Sequence, residues 1–116
     1  MKGFTKLEEA VLLTICGRSP DDQAVLDSQL ETASVRNRNN TGAGFYTHFD
    51  VSKNTLPLHQ NLLGDVWASV KGFAQPMGFI LWLKGGYADH LEGFTIVDST
   101  AGLDLSALTF EVLPHS

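Results

Sequence analysis

Two short patterns carry the side chains best suited to chemistry: His48-Phe49-Asp50 and His90-Leu91-Glu92. Residues two apart on a β-strand project from one face, so each pattern would present an imidazole beside a carboxylate. If two such strands met, the four groups could form a two-His, two-carboxylate metal site or an acid/base pair. The same alternation arises on any solvated strand, where polar residues point outward because water is there. That simpler reading is preferred, and the sequence predicts no metal site, no cofactor and no catalytic residue. An enzymatic activity is the less favoured expectation.

The remaining candidates are weaker still. Cys16 has no second cysteine to pair with or to build a zinc site. Four residues after Leu12 on a helical pattern, it reads as a small buried apolar residue. Ser52 lies near His48 and Asp50 but lacks the Gly-x-Ser-x-Gly elbow of a serine hydrolase. Gly42-x-Gly44 precedes no helix, so it reads as a hairpin turn rather than a phosphate cradle. Asp21, Asp22 and Asp27 read as helix-start and solvated-face acids, not as a calcium loop.

Charge narrows the partners. The 116 residues carry a formal net charge of −5, and the eight Lys and Arg are scattered from Lys2 to Lys84. Such a surface repels phosphate backbones and anionic lipid, so neither nucleic acid nor membrane is expected as a partner. Glu8 and Glu9 interrupt any signal-peptide core, and the longest apolar run, Phe79–Leu83, is too short to span a bilayer. With a lone cysteine, the expected compartment is the cytoplasm.

The elements that would position these groups follow from periodicity. Thr5 with Glu8 is a capping box, and Leu7, Val11, Leu12 and Ile15 follow at helical spacing, predicting a helix from about Lys6 to Cys16 with Gly17 as its cap. Ser19-Pro20-Asp21-Asp22 predicts a second helix with Ser19 as N-cap and Val25, Leu26, Leu30 and Ala33 inward. From Ser34 the period becomes two. A polar edge strand over Ser34–Asn40, with Arg36 and Arg38 on one side, precedes Phe45–Val51, then a strand from Asp65 to Val70, then Phe79–Leu83. Gly85-Gly86 signals a two-residue hairpin into a strand from Tyr87 to Val97. Leu91 and Phe94 fall on opposite parities there, which a bulge at Gly93 would reconcile. Leu108, Phe110 and Val112 predict a last short strand. The expected fold is α+β over a single domain, residues 1–116: two N-terminal helices packed on one face of a mostly antiparallel, curved sheet of about five or six strands.

Thr41-Gly42-Ala43-Gly44-Phe45-Tyr46-Thr47-His48-Phe49 resembles a pattern of a small uncharacterised bacterial protein family. Gly64-Asp65-Val66, Gly78-Phe79-Ile80-Leu81 and Leu91-Glu92-Gly93-Phe94-Thr95 resemble its later segments. The resemblance covers roughly the second half of the chain. It implies a bacterial cytosolic protein and brings no catalytic residues with it.

Aromatic placement carries the functional expectation. If Phe45, Phe49, Val66 and Val70 face the helices, Tyr46 and Trp67 face away, and the central strand adds Trp82 with Ile80 under one parity or Phe79 with Leu81 under the other. A sheet face so loaded marks an interface or groove unless the last strand or the 52–62 loop covers it. The expected surface comprises Tyr46, His48, Asp50, Trp67, Trp82, His90 and Glu92. The expected function is non-enzymatic binding, accessory or regulatory, with a second copy or another protein as partner. The alternative is a small-molecule binder or enzyme with a cystatin-like pocket between sheet and helices, an analogy of fold alone.

Overall fold

A computed structural model describes residues 1–114. Helix α1, Lys6–Gly17, starts at the capping box: Thr5 Oγ1 accepts from the Glu8 amide at 3.1 Å, and Glu8 Oε1 accepts from the Thr5 amide at 2.8 Å. Leu7, Val11, Leu12, Ile15 and Cys16 form its buried stripe. The helix runs through Gly17 and ends at Arg18, with no left-handed cap. Arg18 instead donates to the Asp65 and Leu113 carbonyls, fastening the helix end to the sheet.

Helix α2 begins later than the Ser19-Pro20 signal implies, spanning Gln23–Glu31 with Asp22 at its N-cap and no side-chain cap bond. The Ser19 amide donates to Cys16 O and the Asp22 amide to Ser19 O. These bonds make 19–22 the corner between the helices rather than the first turn of the second. Leu26, Leu30 and Ala33 are buried, Val25 only partly.

Six strands follow: β1 Ser34–Asn40, β2 Gly44–Asp50, β3 Leu62–Val70, β4 Met77–Lys84, β5 Tyr87–Phe94 and β6 Phe110–Val112. They form one antiparallel sheet in the order β1-β2-β5-β4-β3-β6. Lys84 pairs with Tyr87 around Gly85 and Gly86, whose φ values of 59° and 86° meet the demand of a primed turn for left-handed residues. The core joins the helices to one face of the sheet through Phe45, Phe49, Val66, Met77, Phe79, Leu81 and Leu91, all at most 2% exposed.

Three bulges break the ladders. At Arg36 the register steps from Val35↔Phe49 to Asn37↔His48. This separates the two arginines: Arg36 meets Asp50, whereas Arg38, opposite Thr47, reaches the buried Glu8. At Asp65 the step between Gly64 and Val66 coincides with φ 66°, the one positive φ outside glycine among the described residues. The third corrects the sequence expectation. Gly93 pairs regularly with Phe45 and Phe79, and the extra residue is Asp89, between Trp82↔His90 and Leu83↔Ala88. Leu91 and Phe94 therefore do lie on opposite faces, and β5 ends at Phe94.

Candidate functional site

Strand alternation sends Tyr46 and His48 of β2, His90, Glu92 and Phe94 of β5, Ile80 and Trp82 of β4, and Trp67 of β3 to the face opposite the core; each is half-buried. Neither expected cover lies over them. β6 extends the sheet in its own plane, with Val112 opposite Ala68. The 52–61 loop buries Leu58 in the core and donates its amide to Gly86 O.

These side chains bond one another across strands. Register places Tyr46, Glu92 and Ile80 in one row and His48, His90 and Trp82 in the next. Glu92 accepts from Trp82 Nε1 at 2.9 Å and from the Tyr46 hydroxyl at 3.3 Å. The Glu92 charge raises the Tyr46 pKa above its ordinary value, keeping the phenol a donor. Trp82 stacks on His90 with centroids 6.1 Å apart at 16°, His90 lies 5.3 Å from His48, and His48 stacks on Tyr46 at 6.3 Å. The result is a ring row across three adjacent strands.

At the other end of the face, Phe94 lies over Gly78, where a Cβ would come within 2.2 Å of the ring. Trp67 meets Phe94 edge-to-face at 5.4 Å and donates to Asp65 Oδ1 at 3.2 Å. The Asp65 bulge thus supplies the indole's hydrogen-bond partner. Beside these rings runs a groove of about 360 Å³, lined chiefly by Leu62, Gly64, Asp65, Trp67, Ile80 and Phe94.

The four-group set of His48, Asp50, His90 and Glu92, the less favoured sequence reading, does not assemble. Asp50 forms an exposed ion pair with Arg36 at 2.6 Å, and both Glu92 oxygens are taken by Trp82 and Tyr46. The two histidines do meet, and a carboxylate joins them from an unexpected position. Asp89 Oδ2 lies 2.8 Å from His90 Nδ1, and donor atoms of His48, Asp89 and His90 all fall within 4.8 Å of one another. Neighbours on a regular strand point to opposite faces; the bulge brings Asp89 and His90 together. Regular alternation from Leu91 already sends Phe94 outward, where a bulge at Gly93 would turn it inward. The break that brings Asp89 beside His90 shows instead in Ala88 and Leu91, three residues apart yet both buried.

On the core side, the Cys16 thiol is buried and its pKa is pushed up to about 12, first by burial and then by the nearby Asp27 carboxylate. It is held as an unreactive thiol. No helix among the described residues is long and apolar enough to cross a membrane. Comparison with protein-family models, curated proteins and solved structures finds no match.

Proposed function

We infer that this chain is a non-enzymatic binding protein, bacterial and cytosolic, acting in an accessory or regulatory role through the outer sheet face. Its partner is a second copy of itself. The observation that carries this reading is the uncovered row Tyr46, Trp82, Ile80, Phe94 and Trp67, half-buried side by side on one face. Tyr and Trp are the residues that most often anchor interfaces.

The edges of the sheet favour association by the face. β1 is polar, bulged at Arg36 and bridged at Ser34 by Lys2; β6 is three residues long. Short, polar, bulged edges discourage strand-to-strand pairing. The molecule measures 40 × 32 × 20 Å with 6351 Å² of accessible surface. A standard interface of about 800 Å² per partner would take roughly an eighth of that surface. Glu92 and Asp65, carboxylates of this face, already accept from Tyr46, Trp82 and Trp67, and a two-fold axis lets the same aromatic patch meet itself.

Light scattering after size exclusion is expected to give a dimer mass at tens of micromolar chain. Trp67→Asp is expected to shift it to monomer with the circular dichroism spectrum retained, since losing an aromatic anchor costs about 2 kcal/mol or more of association. A wild-type monomer removes this reading. The alternative of an interior pocket finds little support, because Leu7, Leu12, Phe45, Phe79, Leu81 and Leu91 fill the space between helices and sheet. A small apolar ligand would fit the Trp67 groove instead, within the usual range of ligand sites. A monomer whose tryptophan fluorescence shifts saturably with such a ligand would favour that version.

A further inference from the structure

We propose that His48, Asp89 and His90 form a binding site for a divalent cation of the zinc class. The site goes beyond the pairing of copies described above, because it is complete within one chain.

Its backbone is set by the sheet. His48 and His90 are direct cross-strand partners in the β2–β5 ladder, and His90 is held from the other side by Trp82 in the β4–β5 ladder. The Asp89 bulge adds a carboxylate from the adjacent residue, a placement that regular pleating forbids. Two imidazoles and one carboxylate thus converge from two rigid strands, with donor atoms within 4.8 Å of one another. Around a tetrahedral ion with bonds of about 2.1 Å, donors sit about 3.4 Å apart. Rotations of the His48 and Asp89 side chains on a fixed backbone can close that difference. Asp89 and His90 keep 35% and 25% of their side-chain surface exposed, so an ion can reach them and water can complete the shell.

The surroundings suit a cation. Trp82 stacks on the His90 ring and limits its rotation. Glu92, its oxygens engaged by Trp82 and Tyr46, adds a fixed negative charge two residues along the same face without competing as a ligand. Imidazole donors select zinc-like ions over magnesium, which takes oxygen ligands and releases its water reluctantly. The sequence pattern points to Asp50 and Glu92 as the carboxylates beside these histidines, and Asp89 joins them only through the bulge.

Calorimetric titration of the full chain with zinc chloride tests the site, with magnesium chloride as control and chain mass measured in the same buffer. Saturable binding of one zinc per chain is expected, with no magnesium heat and a rise in melting temperature. His48→Ala and Asp89→Asn should each weaken zinc binding at least about tenfold, whereas His59→Ala, in an exposed loop, should leave it unchanged. Cobalt(II) gives a second readout: its tetrahedral d–d band should appear with wild type and vanish with His90→Ala. Should His90→Ala not fold, His48→Gln reads the same band. No saturable binding at millimolar zinc, or a smaller loss in both site variants, overturns the site. The chain mass separately reports on the dimer.

Discussion

The two faces of the sheet satisfy their polar groups in different ways. On the inner face the partners come from the helices and loops. Glu8, fully buried on α1, accepts from Arg38 at 2.7 and 2.9 Å and from Thr47. Gln29, fully buried on α2, donates to the carbonyls of Leu56 and Gly86 and accepts from the Ala88 amide. Both are locked inside apolar packing, and among the described residues no buried side-chain polar atom lacks a partner. On the outer face, Tyr46, Trp82 and Glu92 bond only along the surface, and Trp67 leans on Asp65. The inner face is finished by tertiary structure. The outer face is ordered by the sheet itself and still has surface left for a partner.

The largest effect expected from breaking this contrast is at Arg38. Arg38→Met removes the guanidinium from a carboxylate that is 0% exposed, leaving Glu8 with only hydroxyl and amide donors. Stranding a buried charge costs about 3–5 kcal/mol, discounted toward the lower figure because Arg38 keeps 25% of its side chain exposed. Urea unfolding measures it, and a loss under about 1 kcal/mol would place this pair with ordinary surface ion pairs.

The same substitution on each face sharpens the comparison. At Gly93, a Cβ would lie 2.9 Å from Phe79, 3.1 Å from Phe45 and 3.3 Å from Met77, in a core with no room to yield. Gly93→Ala is expected to cost about 1–3 kcal/mol. Gly78→Ala strikes the Phe94 ring more closely, but that ring is half-exposed and can swing outward. Its cost is the lost Phe94–Trp67 edge contact, about 0.5–1.5 kcal/mol, partly offset by the lower entropy of alanine in the unfolded chain. Tryptophan fluorescence should shift for Gly78→Ala and hold for Gly93→Ala. Equal costs would mean the outer rings are as firmly packed as the core.

The last effect is the smallest at neutral pH, where it vanishes, and grows only as the solution turns alkaline. The folded Cys16 thiol has its pKa raised from 9.0 to about 12, so the unfolded chain loses this proton first as pH rises. Stability is therefore full below 9.0 and falls as pH climbs from 9.0 towards about 12, at a slope approaching about 1.4 kcal/mol per pH unit for one group. Tyr46, also raised, adds in the same direction at high pH. Cys16→Ala should flatten the slope that begins near 9.0, and Tyr46→Phe should leave that onset in place. An unchanged slope in Cys16→Ala would show that the thiol is not the group responsible.

Much of this molecule follows from its sequence because the signals are local. The Thr5–Glu8 capping box, the Gly85-Gly86 hairpin and the alternation through Phe45–Phe49 each rest on residues within a few positions of one another. Backbone sterics and a two- or 3.6-residue period act at that range. They are enough to predict an α+β fold and to send Tyr46 and Trp67 away from the helices, whereas the parity of Trp82 waits on the pairing of β4 with β5. Tertiary structure decided what depends on partners distant in the chain. The bulge at Asp89 exists because β4 and β5 must stay in register on both sides of it. The corner at 19–22 replaced a helical turn because Ser19 closes α1, and Asp50 left the histidines for Arg36 across the edge strand. A one-residue slip moves a side chain to the other face at little local cost, so the pairing of whole strands, not the propensity of single residues, chose which carboxylate stands beside His48 and His90.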